Sequence, residues 1–458
     1  MAGSINKKET SMIRDMTTGS VPKLLFVFAA PLLLSNALQA IYNIVDMIVV
    51  GQVIGGAGMS AVSTGGNILH ILTFLSIGFG GAGQVIISRQ VGSDNTDRVS
   101  KTVGTMFSML MGMSVVMALL CYILRNQILT LVNTPAEAYD FTMDYTVTCI
   151  CGLPFIYGYN TVSSVLRGMG DSKRPFMFIA IAAVMNTILD IVFVAFMHME
   201  VFGAALATVI GQGFSFVFSV IYLYRRRESF GFDFKPKSFM PDRAVMQRIS
   251  SLGVPMAIQS AAVSISMTVV NAWVNSFGVT YSAIAGIVSK LGMIIGIMSN
   301  AISTASGSMV GQNLGAREYG RVKEILAWAT GAAVILSAIA SLILARWPMP
   351  IFRMFTSDET VVAGAMIIIS PMIINFFGAA GRTFGFGLIN GSGNSRLNLL
   401  VALLDGIIVR IGAAYLLGFA FNMGPLGFWY GDAIAGFMPL LIGGVFFISG
   451  KWKRFDSV

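Results

Sequence analysis

Four residues in the first half of the chain have the types and spacing needed to bind and release a small cation: Asp46, Asn186, Asp190 and Thr208. Asn186 precedes Asp190 by four residues, so on a helix the two side chains stack on one face. All four lie in long apolar stretches. A charged side chain there costs about 2.5–3.5 kcal/mol on insertion scales, so one that is kept has a partner or a task. Their depths also agree. Asp46 stands five residues before Gly51, Asp190 eight before His198, and Thr208 five after Gly203. At about 1.5 Å per residue, all three sit roughly 8–12 Å from the same end of their helices. Two acids, an amide and a hydroxyl at one depth can share a proton, or can supply the oxygens of a dehydrated Na+. The alternative is that each acid hydrogen-bonds locally and only holds helices together.

Ser35, Gln39, Tyr42 and Asp46 follow one another at spacings of four, three and four, which makes one polar helix face that should look into protein, not lipid. The equivalent face in the second half reads Gln259, Val263, Ser266 and Val270 and has no acid. That half carries its own charges within apolar runs: Lys290, Arg382, Asp405, Arg410 and Asp432. Arg410 and Asp432 lie at similar depth and are expected to pair. Lys290 and Asp405, nearer the middle of their runs, are candidates for a second pair. These read first as neutralised ion pairs, with a coupling or substrate role for Asp405 or Lys290 as the alternative. His70, Cys149 and Cys151 read as packing residues.

The elements that must position these groups are membrane helices. Of 458 residues, 55% are hydrophobic and only 11% charged, against roughly 25% charged in a soluble domain. Apolar stretches recur near 24–50, 59–83, 99–123, 139–163, 175–197, 203–224, 250–276, 281–305, 322–345, 361–387, 397–418 and 425–449. They are continuous, not alternating, which argues for twelve helices and against a β-barrel. If the N-terminus is cytoplasmic, 24 of the 30 Lys and Arg fall in inner segments, and only Arg125, Arg346 and Arg353 fall in outer loops. That asymmetry orients the chain with both termini inside, and it explains the net charge of +9 without nucleic acid. Three cysteines and two histidines exclude a disulfide framework or a Cys/His metal cluster. No phosphate-binding loop is present, so no nucleotide-driven step is expected. No cofactor is expected either.

The chain repeats itself. Ala30-Pro31 matches Val254-Pro255. Gln90-Val91-Gly92 and Arg98-Val99 match Asn313-Leu314-Gly315 and Arg321-Val322. Gly168-Met169-Gly170-Asp171-Ser172-Lys173 matches Gly391-Ser392-Gly393-Asn394-Ser395-Arg396, and Phe202-Gly203 matches Leu426-Gly427. All of these lie at offsets of 223 or 224. Six spans separate the copies, an even number, so the repeat is parallel. The expected division is a cytoplasmic segment 1–23, an N-lobe 24–224, a cytoplasmic loop 225–248, a C-lobe 249–449 and a cytoplasmic tail 450–458.

With twelve spans in two parallel six-helix lobes, Pro31 and Asp46 early, and the motifs at 90–92 and 168–171 with their copies, the chain resembles the multidrug and toxic compound extrusion (MATE) transporters. It looks closer to the DinF-like and archaeal-type branch, which has an acidic site in the N-lobe. The resemblance implies a V-shaped pair of lobes, alternating access, and export of cationic or amphipathic compounds driven by H+ or Na+. It also implies that Asp46, Asn186, Asp190 and Thr208 stand at the branch's ion-coupling positions. Other members carry acids in spans seven and ten. None stands there in this chain, which argues against a coupling site of that kind in the C-lobe. The partners expected are drug-like small molecules, the coupling ion and the bilayer, with the chain a monomer in a bacterial-type inner (plasma) membrane. The abundance of Met and Phe suits an adaptable cavity. Two other functions fit the sequence less well. A lipid-linked sugar flippase of related fold would need a strongly cationic cavity, and the mid-membrane charges are mixed. A membrane-embedded enzyme would need a nucleophile–base pair at one depth, and none is evident.

Overall fold

The computed structural model describes residues 13–453. Lys7, Lys8 and Arg454, counted above among the inner basic residues, lie outside that range. Among the described residues, twelve helices are long and apolar enough to cross a membrane. The first six are α1 Val21–Ile54, α2 Gly56–Gly92, α3 Asp97–Ile123, α4 Ala136–Gly168, α5 Lys173–Phe196 and α6 Glu200–Arg225. The other six are α7 Arg243–Asn275, α8 Val279–Gly315, α9 Tyr319–Arg346, α10 Ala365–Ser392, α11 Ser395–Ala420 and α12 Pro425–Ile448. Each apolar stretch in the sequence became one of these, and no strand occurs among the described residues.

Several helices overrun a bilayer. α2 and α8 have 37 residues each, about 55 Å at 1.5 Å per residue against a hydrocarbon core of about 30 Å. The overrun of α2 is wrapped in protein: Gln84, Ser88, Arg89 and Gln90 are buried. The Gln90-Val91-Gly92 motif is thus the end of a helix, not a loop. The Thr102 hydroxyl in α3 donates to Gln90 Oε1 at 3.0 Å.

The repeat is visible in the backbone. Gly55 and Gly278, Asp94 and Arg317, Gly170 and Gly393, His198 and Asn422, and Glu200 and Gly424 all have left-handed φ, and each pair is 223 or 224 apart. Residues of different type therefore turn the chain at the same places in both halves. At the 168–173 motif the pairing has a mechanism. Gly170 and Gly393 take φ of 89° and 69°, which a side chain would oppose. The next residue then caps a helix. Asp171 Oδ1 accepts from the amides of Lys173 and Arg174 at 3.1 and 3.2 Å, and Asn394 Oδ1 from that of Leu397 at 3.1 Å.

The chain forms two compact units. The first holds Leu34–Gly253 with the described residues up to Asp15; the second holds Met16–Leu33 with the described residues from Val254 on. The divisions fall beside Pro31 in α1 and Pro255 in α7, where a helix lacks one backbone donor. The N-terminal end of α1 belongs with the second unit because Val21, Leu25, Phe28 and Leu32, one turn apart, are buried in its core with Val310, Leu314, Ile325 and Trp452. Gln312 Oε1 accepts from the Met16 amide at 3.0 Å, and Asn313 Nδ2 donates to the Met16 carbonyl at 3.1 Å. In the first unit, the 225–248 segment folds back onto α3. Phe239 meets Phe107 and Phe232, and the Asp242 amide donates to Thr105 Oγ1 at 3.1 Å.

Three wide π-helical turns interrupt spans: Ile191–Phe196 directly after Asp190, Leu404–Ile408 around Asp405, and Leu416–Ala420. Such turns are rare and concentrate at functional sites.

Candidate functional site

The first unit brings the four expected residues together. Asp46 in α1, Asn186 and Asp190 in α5 and Thr208 in α6 are all buried, Asp190 completely. The Asp46 carboxyl lies within hydrogen-bonding reach of the Asp190 carboxyl and the Thr208 hydroxyl. Asn186 Nδ2 donates to Thr208 Oγ1 at 3.4 Å. Both oxygens of Asp190, Oδ1 of Asp46 and Oδ1 of Asn186 have no hydrogen-bond donor among the described residues. Buried acceptors without donors are rare, because each forfeits its hydration for nothing. Here they converge, and two neighbouring carboxyls need a proton or a cation between them.

Close helix approach makes the cluster possible. A methyl group at Gly211 in α6 would lie 3.1 Å from the Ala182 carbonyl and 3.3 Å from Asn186 Cβ, so glycine lets α5 and α6 meet closely at this level without crowding. Towards the end where α1 gives way to α2, an apolar layer of Val50, Val62, Val194, Val201 and Ala204 closes over the acids. Tyr42, from the polar face of α1, reaches Gln212 and lines a narrow cavity with Ala182, Asn186, Thr208 and Gly211. Ser35 and Gln39, farther along that face, are half-buried.

Sequence reasoning missed part of the site. Tyr145 in α4 places its hydroxyl within reach of Thr208, and Cys149, one turn on, reaches Tyr145. Gly65 in α2 leaves the room for that ring, since a methyl there would stand 2.4 Å from Tyr145 Cδ1. A polar ladder Asp144, Tyr145, Thr148, Cys149 in an apolar span was the available signal. Cys151, read as a packing residue, is exposed, and so is His70.

In the second unit the buried groups without a hydrogen-bond partner among the described residues belong to neutral side chains, Thr330, Ser341, Asn390 and Asn398, and the buried charges are matched. Arg410, 2% exposed, is engaged on every side: Nη2 pairs with Asp405 Oδ1 at 2.8 Å, Nε donates to the Asp405 carbonyl at 3.2 Å, and Nη1 pairs with Asp432. Asn375 Nδ2 donates to the other Asp432 oxygen at 3.0 Å. The expected Arg410–Asp432 pair is present. The second pair is not Lys290 with Asp405. Asp405 is taken by Arg410, five residues along the same π-widened helix, and by Arg382 of α10 at 3.4 Å. Lys290 is exposed and makes no ion pair among the described residues.

A family model, MatE, matches residues 31–192 and again residues 255–416. The chain belongs to the MatE family. Both ends of the two matches are 224 apart, in line with the 223 or 224 at which the motifs and the left-handed residues recur, so the repeated unit of the MatE fold is one half of this chain. Its members are transporters, not enzymes. Among curated relatives, the chain is 28% identical over 444 residues to the probable multidrug resistance protein YpnP of Bacillus subtilis, covering 96% of this chain and 97% of the relative. It is 22% identical over 393 residues to the multidrug export protein MepA of Staphylococcus haemolyticus, covering 85% and 86%. A MATE crystal structure in the bent conformation superposes with a TM-score of 0.87 at 19% identity, over 96% of this chain and 98% of the other. An outward-facing multidrug resistance MATE transporter of the MOP superfamily gives 0.87 at 18%, over 97% and 98%. At those identities the superpositions establish the MatE fold alone.

Proposed function

We propose that this MatE protein is an ion-coupled antiporter that exports drug-like cationic or amphipathic compounds from a bacterial-type cell by alternating access. Its termini are cytoplasmic, it works as a monomer, and the ion, H+ or Na+, binds at Asp46, Asn186, Asp190 and Thr208. The observation that carries the reading is the cluster of buried acceptor oxygens without donors around two facing carboxyls. Full relatives named for multidrug resistance and export support the exporter part of it.

Asp190, completely buried and the less provided with donors, is the principal ion-binding group, and Asp46 tunes it from α1. An ion between the two acids removes their repulsion and draws α1 towards α5 and α6. Loss of the ion reverses this. An ion shifts such an equilibrium only by binding the two states with different affinity, so ion and exported compound compete through the conformation and need not touch.

The test is Asp190→Asn, which keeps the shape of the neutral acid but cannot cycle. Dye efflux from cells, normalised to membrane expression, should fall to background while purified protein still binds dye. Asn186→Ala and Thr208→Ala each remove one neutral partner, worth about 0.5–1.5 kcal/mol, and should slow efflux only about two- to tenfold. Gradient-driven efflux by Asp190→Asn near the wild-type rate would sink the assignment. Imposing proton and sodium gradients separately on proteoliposomes identifies the ion.

A further inference from the structure

α8 has a face that does not suit lipid. Ala283, Gly286, Lys290, Met293, Gly296 and Asn300 recur at spacings of three and four, and all are exposed. The exposed face of α9 reads Val334, Ile335, Ile339 and Leu342, as a lipid-facing helix should. On α8 the exposed stripe carries two glycines, an amide and a lysine together with Ala283 and Met293, and the exposed Ile294 stands beside it. A methyl group built on Gly286 or Gly296 meets no atom within 4 Å, so the space beside the stripe is open. The repeat gives α2 a similar face: Ser63, Asn67 and His70, equivalent to Gly286, Lys290 and Met293 at an offset of 223, are exposed as well. Two helices with open polar stripes at matching positions mark surfaces that meet water inside the membrane.

Lys290 is the distinctive group on this face. It lies eleven residues into α8, about 16 Å from that end of the helix at 1.5 Å per residue, within an apolar span. The other mid-span charges of the second unit cancel, Arg382 and Arg410 against Asp405 and Asp432. Lys290 has no ion pair among the described residues. An uncompensated cation on an open polar stripe attracts an anionic group.

We propose that Lys290 is the anion-recognising residue of a ligand site on the α8 stripe, and that the ligands are amphipathic small molecules bearing a carboxylate. This refines the substrate class of the proposed exporter and rests on that reading for its meaning in the cell. It is read by binding without any gradient, so a normal Asp190→Asn exporter leaves it untouched.

The experiment measures binding of a fluoroquinolone with a free carboxylate, and of its methyl ester, to purified protein in phosphatidylcholine nanodiscs with and without phosphatidylglycerol. Lys290→Met should weaken binding of the acid at least about tenfold and of the ester less than about twofold. Lys290→Arg should keep acid binding within about threefold of wild type, and a monodisperse elution profile shows that each variant is folded. Equal loss for acid and ester, no loss for either, or no measurable binding of the acid to the wild type overturns the proposal. If Lys290→Met instead alters only the response of the protein's melting to phosphatidylglycerol, the lysine serves a lipid headgroup and the proposal is likewise overturned.

Discussion

Replacing Arg410 with Met should damage folding far more than transport per folded molecule. The guanidinium neutralises Asp405, which is 1% exposed, and also pairs with Asp432, 20% exposed. In the wild type, two arginines face two aspartates. The single change leaves Arg382 alone with both acids, and it contacts only Asp405, at 3.4 Å. Removing one partner of a buried pair typically costs about 3–5 kcal/mol, a large share of the roughly 5–15 kcal/mol that holds a folded domain together. Most Arg410→Met protein should therefore aggregate on fluorescence-detected size-exclusion chromatography, with a lowered melting temperature in whatever elutes. The companion change is chosen by charge. Arg410→Met with Asp432→Leu leaves Asp405 opposite Arg382, one charge of each sign, and leaves only the Asn375 amide unpaired, worth about 1–3 kcal/mol. The double variant should recover at least half of the lost expression. A double variant as poorly folded as the single one would show that Asp432 and Arg410 do not act as partners and would refute the reasoning.

Gly65→Ala puts a methyl 2.4 Å from the Tyr145 ring. Overpacking of this kind costs about 1–3 kcal/mol and should slow efflux per folded molecule by displacing Tyr145, whereas the neighbouring Gly66→Ala, with nothing within 4 Å, should do neither; equal behaviour of the two would detach Tyr145 from the site. For orientation, Lys237 is exposed in the 225–248 segment. Lys237→Cys in a variant lacking Cys121, Cys149 and Cys151 should resist an impermeant thiol reagent in intact cells and react in inverted vesicles, and labelling from outside would reverse the topology.

What the amino-acid sequence determined by itself is what depends on one helix at a time. Hydropathy placed the twelve spans because an apolar run of about 20 residues has one stable state in a bilayer, a helix. Residue counting from helix ends put Asp46, Asp190 and Thr208 at one depth because rise per residue is constant. The repeat was legible because turns demand particular residues, as at Gly170 and Gly393. Tertiary structure decided everything that depends on which side of a helix meets which neighbour. Tyr145 and Cys149 join the acids only because α4 is rotated towards them and Gly65 gives way; no depth count contains that rotation. Asp405 chose Arg410 and Arg382 over Lys290 because a π turn and the register of α10 bring those guanidinium groups to it. The N-terminal end of α1 groups with the second unit because Val21, Leu25, Phe28 and Leu32 are buried in its core. Sequence spacing fixes position along a helix axis, but rotation about that axis and the choice of neighbour are set by the packing of all the helices together.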